Sequence, residues 1–173
     1  MATARQVLAP SDEDKRYFIR RAVDVGYIGA FVEKPDTARP VGAVIVKEGK
    51  IIAEGYNNAF TYWDPTAHGE VVAIRNACAS MKTLTLEGCE IYTSCEPCYM
   101  CTSVILLTGI KRVYYAATNE ELKTRMYLPR NIEFRNLIHP RPAEYYNMRE
   151  YVEDRKVYEI FEKWASKQLK MRC

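Results

Sequence analysis

A chain of 173 residues that is 48% hydrophobic and 27% charged is not intrinsically disordered and has the length of one domain. Eight Gly and eight Pro exclude a fibrous repeat, and a net charge of +3 is lighter than the basic footprint usual in nucleic-acid binders. The longest apolar stretch, around residues 104–107, is too short to cross a bilayer, and the first eighteen residues lack the apolar core of a secretory signal, so a cytoplasmic protein without membrane contact is expected.

Ser11 is a helix N-cap followed by acidic residues 12–14, which the helix dipole favours in a first turn. Tyr17, Phe18, Arg21, Ala22 and Val25 then recur at helical spacing as far as about Gly26. Residues 33–40 read as loop. Residues 41–57 form two β-rich runs across a turn at Glu48-Gly49-Lys50, a hairpin, and 58–66 is loop again. A second helix follows Pro65-Thr66 and runs to about Met81, with Val71, Val72, Ile74, Ala77 and Cys78 on its apolar side. Residues 89–93 form a short strand, Pro97 suits the first turn of a third helix through Leu107, and Gly109 ends it. Residues 111–117 are another strand. The signal weakens over 118–148, and 152–170 reads as a terminal amphipathic helix. The alternation of strands and helices predicts an α/β layered fold around a central sheet.

Six cysteines in a chain without a secretory signal are not a disulfide framework. Cys95, Cys98 and Cys101 stand three apart, which points to metal or redox chemistry. Cys98 and Cys101 share one helix face, and His68-Gly69-Glu70 opens the second helix. Two thiolates and one imidazole are a zinc set that keeps a fourth position open for water. Helix N-termini beside the thiols favour the thiolates that zinc needs. His68 and Glu70, two apart, cannot both face a metal from the side of a helix, so His68 fits as ligand and Glu70 as the carboxylate beside the water. Three other readings compete. Cys95 is a fourth ligand for a structural zinc. C-x-x-C-x-x-C suits an iron–sulfur cluster, although Ile105 stands where the fourth cysteine belongs. A redox dithiol at 98 and 101 leaves the His-x-Glu unexplained.

His-x-Glu followed by Pro-Cys-x-x-Cys, with PVGAVIVKEGKIIAEGYN, DPTAHGEVVAIRNAC and IYTSCEPCYMCTSVILLTGIKRVYY, resembles the zinc-dependent cytidine deaminase-like superfamily over roughly residues 11–118. The similarity is to its guanine deaminase, tRNA adenosine deaminase and fungal cytosine deaminase branches. The resemblance implies a three-layer α/β/α sandwich with a central mixed sheet, usually a homodimer. It implies Zn2+ held between two helix N-termini by His68, Cys98 and Cys101, with Glu70 as proton shuttle. Asn57, eleven residues before His68, matches the asparagine that hydrogen-bonds the substrate ring or its substituent, and the backbone carbonyl of Glu96 matches the acceptor for the departing amine. Val41 belongs to the substrate pocket, where guanine deaminases carry Phe and tRNA adenosine deaminases carry Val.

Related enzymes fold a C-terminal segment over the pocket. Phe161 and Trp164, three apart on one helix face, are therefore candidate lid residues, with core packing as the competing use. Arg125-Met126-Tyr127-Leu128-Pro129 replaces the Gly-Phe-Asp-Asp segment of guanine deaminases. Residues 123–149 carry six Lys/Arg against two Asp/Glu, interleaved with Tyr127, Phe134, Tyr145 and Tyr146, a mixture that suits either base stacking or a packed insertion. The implied unit is a single deaminase domain over 1–173, with a core at about 11–118 and a C-terminal insertion and helix over 119–173. Its implied activity is hydrolytic release of ammonia from a free nucleobase, nucleoside or related amino-heterocycle of guanine or cytosine type. Adenosine editing in tRNA, with nucleic acid as partner, is the alternative; a non-catalytic nucleotide-binding subunit is a further one.

Overall fold

Ser11 and Asp14 open α1 (Asp12–Ile28) with a reciprocal capping box: the Asp14 N–H donates to Ser11 Oγ at 3.1 Å and the Ser11 N–H to Asp14 Oδ2 at 3.2 Å. The computed structural model describes residues 9–126 and 143–171. Gly26 does not end α1, as its sequence position suggests. It lies inside the helix because a Cβ there would meet Pro40 O at 2.8 Å, so the glycine serves close packing. A π-helical turn (Gly29–Glu33) follows.

β1 (Arg39–Lys47) and β2 (Lys50–Asn57) form the expected hairpin, closed by Glu48 and Gly49 at φ 50° and 72°. Two successive positive φ angles give the tight turn whose twist matches paired strands. The predicted loop 58–66 contains a single helical turn, α2 (Ala59–Tyr62), stopped by Trp63 in the left-handed region. Next come α3 (Gly69–Met81), β3 (Cys89–Thr93), α4 (Tyr99–Leu107) and β4 (Arg112–Tyr115).

Two helices lie where the pattern faded. α5 (Asn119–Met126) is capped by Thr118, which accepts from the Glu121 N–H while Glu121 accepts from the Thr118 N–H. α6 (Ala143–Met148) leads into β5 (Arg149–Tyr151), and α7 (Lys156–Met171) closes the described chain. α7 starts later than expected because Val152 still donates to Tyr115 O and buried Asp154 accepts from the Lys156 N–H.

The five strands run in the order β2-β1-β3-β4-β5. β1 is antiparallel to β2 and β3, whereas β3, β4 and β5 are parallel, so the sheet is mixed as expected. Alternate residues feed two cores: Val44, Val46, Tyr92 and Tyr114 pack with α1 and α7, while Ala43, Ile45, Ile91 and Val113 pack with α3 and α4. Burial on both faces explains why the strands read as continuous apolar runs. Three layers result, α1 and α7 over one face and α3 and α4 over the other. Glycine brings α3 onto the hairpin: a Cβ at Gly55 would stand 2.4 Å from Ala73 N, and one at Gly69 2.8 Å from Val41 O. Among the described residues, no helix is long and apolar enough to cross a membrane.

Candidate metal centre

The N-termini of α3 and α4 meet. His68 is the N-cap of α3 and Cys98 the N-cap of α4, both with extended backbone. An N-cap side chain folds back over the first turn, which carries the imidazole and the thiol to the helix ends. Pro97 precedes this cap instead of lying in the first turn. Cys98 and Cys101 therefore meet as N-cap and N3, not side by side on a helix wall.

Cys98 Sγ lies 3.5 Å from Cys101 Sγ, and each sulfur lies 3.6 Å from His68 Nδ1. A tetrahedral zinc about 2.3 Å from sulfur and about 2.0–2.1 Å from nitrogen sets such donors roughly 3.5–3.8 Å apart. The triangle already has the dimensions that the ion requires. Among the described residues, His68, Cys98 and Cys101 are the group of metal-ligating side chains close enough to share one ion.

Backbone bonds position this triangle. Asn58 N–H donates to Ala67 O at 2.9 Å, closing the loop that returns to His68, and Arg75 braces it through Asp64 at 3.2 Å and Thr66 at 3.1 Å. Gly42 and Ser94 exchange bonds of 3.0 and 2.9 Å, setting the start of the Cys95–Cys98 loop against β1. Glu96 N–H donates to Ala117 O at 2.7 Å. Its carboxylate accepts from the Asn119 N–H at 3.2 Å and pairs with Arg149, so the side chain ties α5 and β5 to the ligand loop.

Glu70, at N2 of α3, is 3% exposed, and its Oε2 has no hydrogen-bond partner. Burial first, and the neighbouring Cys98 charge second, push its carboxyl up to about 7. Cys98 is the thiolate of the thiol pair: the Cys101 thiol donates to it and His68 assists, holding it at about 4 against the cost of burial. The same hydrogen bond and burial raise Cys101. The bond to Cys98 raises His68. A buried carboxyl with one oxygen free of hydrogen bonds, beside two thiols and an imidazole, can carry protons near neutral pH.

Other predicted residues fall into place differently. Cys95 is buried and faces Thr118 O at 3.8 Å and Asn119 Oδ1 at 3.9 Å, outside the metal group, which removes the fourth-ligand reading. Asn57 is buried at the end of β2, its Oδ1 accepting from the Ala59 N–H at 3.2 Å. The Val41 carbonyl lies against Gly69, between His68 and Glu70. Phe161 and Trp164 are core residues, 0% and 8% exposed, in the layer opposite α3 and α4. Trp164 Nε1 donates to Ala38 O at 3.0 Å. The lid expectation is therefore corrected: the structure keeps both residues on the α1 side of the sheet, and the apolar face of α7 is satisfied there. Arg125 pairs with Glu162 and covers Tyr158, while Met126 is buried. Tyr127, Leu128, Pro129, Phe134 and the side chain of Tyr145 lie outside the described residues. Tyr146 is exposed beside the Arg149 guanidinium, 4.8 Å from its ring centroid.

One residue at this end of the sheet escaped the sequence reading. Arg39 begins β1 opposite Asn57, in a stretch read as loop. Its Nε is buried without a partner, its guanidinium lies 5.0 Å from the Phe60 ring centroid, and its charge reaches His68. Nothing in the local pattern distinguishes it from a solvated arginine.

The family model described as the cytidine and deoxycytidylate deaminase zinc-binding region matches residues 12–117. Over 104 residues the chain is 48% identical to a guanine deaminase of Bacillus subtilis strain 168, covering 60% of this chain and 65% of that enzyme. Over 82 residues it is 46% identical to a tRNA-specific adenosine deaminase of Aquifex aeolicus, covering 47% of this chain and 54% of that enzyme. A solved guanine deaminase structure from Bacillus subtilis superposes with a TM-score of 0.57 at 38% identity, covering 76% of this chain and 88% of that one. The matches thus span between about half and just under two thirds of these two curated relatives.

Proposed function

The chain belongs to the cytidine and deoxycytidylate deaminase zinc-binding family, and from that premise we propose that it is a zinc-dependent hydrolytic deaminase. Its substrate is a free nucleobase, nucleoside or related amino-heterocycle, whose amino group is exchanged for oxygen with release of ammonia. The observation that carries this reading is the preformed triangle of His68, Cys98 and Cys101 beside the buried Glu70 carboxyl, whose Oε2 has no partner.

His68, Cys98 and Cys101 would hold the zinc. When bound, zinc supplies Lewis acidity that lowers the pKa of a water towards neutrality. The chain's own residues do the rest. The N-termini of α3 and α4 place their partial positive charge at the thiols and favour the thiolate form. Glu70 takes a proton from the attacking water at Oε2 and delivers it to the ring nitrogen next to the amine-bearing carbon. It then carries the second proton of that water to the departing amine, so water and the amino compound become the oxo compound and ammonia. Burial suits Glu70 to both transfers, since a carboxyl near 7 gains and loses a proton at neutral pH. Asn57, held by its bond to Ala59, orients the ring, Val41 lines the pocket, and the carbonyl of Glu96 accepts from the leaving group. The deaminase unit is one domain over 1–173.

Adenosine editing in tRNA is the second reading, favoured by the 46% identity to the Aquifex aeolicus enzyme. Zinc content together with ammonia release from a panel of bases, nucleosides and unmodified tRNA tests both. Turnover of a small compound with one zinc per chain supports the first reading. Turnover of tRNA alone, with binding that falls steeply in salt, supports the second. Full zinc occupancy with no turnover of any member of the panel refutes both and leaves a non-catalytic binding subunit.

A further inference from the structure

Arg39 is a cation placed at cost. Its Nε is buried and unpartnered, and neither an ion pair nor a hydrogen bond from its side chain to the described residues accompanies it. Burial alone lowers its pKa, with no carboxylate acting in the other direction. A desolvated charge normally has a counter-charge, because an unpaired one destabilises the fold. Structural arginines of this chain obey that rule: Arg21 grips Glu54 through two bonds of 2.6 and 2.7 Å, and Arg20 reaches buried Asp154. Among the described residues Arg39 instead has the Phe60 ring as its partner, a contact that orients the guanidinium without neutralising it.

Its position ties it to the candidate site. Arg39 stands opposite Asn57 in the hairpin register. Two residues along β1, the Val41 carbonyl touches Gly69, between His68 and Glu70. Two residues of extended strand span about 7 Å. An anion at Arg39 therefore sits away from a ring held at Glu70, on a substituent of that ring.

We propose that Arg39, oriented by Phe60, is the anchor for a phosphate monoester on the substrate, so that the amino-heterocycle this site accepts is a nucleotide in preference to the neutral nucleoside or base. A planar guanidinium with free donors matches phosphate oxygens in pairs, and the phosphate supplies the missing counter-charge. This inference rests on the deaminase reading for its substrate but concerns a separate group of atoms.

The test uses zinc-loaded full-length protein carrying Glu70→Gln, so that no ligand is consumed, with and without Arg39→Gln. Calorimetric titration compares CMP, GMP and AMP with their nucleosides and free bases. At least one monophosphate should bind at least about tenfold tighter than its nucleoside, and Arg39→Gln should abolish that gap. Affinity for the neutral member should stay unchanged. Arg39→Met in ligand-free protein should keep or raise the melting temperature, because it removes an unpaired, half-buried cation whose Nε has no partner; a purely structural arginine would give a drop. No gap for any monophosphate, a gap that survives Arg39→Gln, or equal loss of charged and neutral ligands with a lower melting temperature would each overturn the proposal. So would tight binding of unmodified tRNA that depends on Arg39 while monophosphates bind weakly. Ammonia release by the protein with Glu70 intact separates the two readings. Turnover of neutral bases without charge preference sinks the anchor and leaves the deaminase, whereas Arg39-dependent nucleotide binding with no turnover sinks the deaminase and leaves the anchor.

Discussion

Cys98 stands to Cys101 as N-cap to N3 of α4, with their sulfurs 3.5 Å apart. Ser11 and Asp14 hold the same relation at α1, where oxygen atoms satisfy the helix's own N–H groups. At α4 the cap hydrogen bond is missing, and the paired side chains face His68. A site normally spent on capping is given to ligands. The cost of a forgone cap is about 1 kcal/mol, small against the free energy of binding a structural or catalytic zinc.

Purified protein should contain one zinc per chain, and His68→Ala or Cys101→Ala should remove it. Removal should also lower the melting temperature, since zinc at about 100 times its dissociation constant stabilises the folded state by about 2.7 kcal/mol. Elemental analysis and thermal melts with and without chelator check this. Stoichiometric zinc in the Cys101→Ala protein would refute the assignment.

Glu70→Gln keeps the shape of the side chain and removes the proton carrier. Turnover should fall at least ~100-fold while zinc stays bound. The melting temperature should not fall, because an ionisable carboxyl buried at 3% exposure with an unpartnered oxygen does not support the fold. Near-normal turnover would take Glu70 out of the chemistry.

Cys95→Ala should leave the metal content unchanged, because the Cys95 sulfur faces Thr118 and Asn119, not the triangle. The expected effect is a stability loss of about 1 kcal/mol from a small buried void. Loss of zinc from this variant would restore the four-ligand site.

Phe161→Ala should cost about 3–5 kcal/mol in denaturant unfolding, as expected for a fully buried aromatic ring. Turnover per folded molecule should remain within about twofold of the parent protein if Phe161 only packs the core. A variant with unchanged stability and a large fall in kcat/KM would return Phe161 to the pocket.

Where a feature depended on neighbours in the chain, it was legible. The α1 cap at Ser11, the Glu48-Gly49 turn, the stop at Gly109, and the spacings of His68 to Glu70 and of Cys98 to Cys101 are all local to a few residues. Thr118-Asn119-Glu120-Glu121 is also local. It is a capping box that opens α5 within a segment whose apolar periodicity is weak. β5 was not readable: three residues carry no period, and Arg149–Tyr151 becomes a strand only because β4 offers an edge to Val113, Tyr114 and Tyr115.

The same division runs through the site. The residue types and their spacing determined, without any structure, that three donors and one carboxylate belong to one chemistry, because that chemistry demands those groups. Only the tertiary structure decided that Cys95 faces away, that Phe161 and Trp164 belong to the opposite layer, and that Arg39 buries its unpartnered Nε beside Phe60. Burial and charge environment are properties of what arrives from distant parts of the chain, and a local pattern holds no record of them.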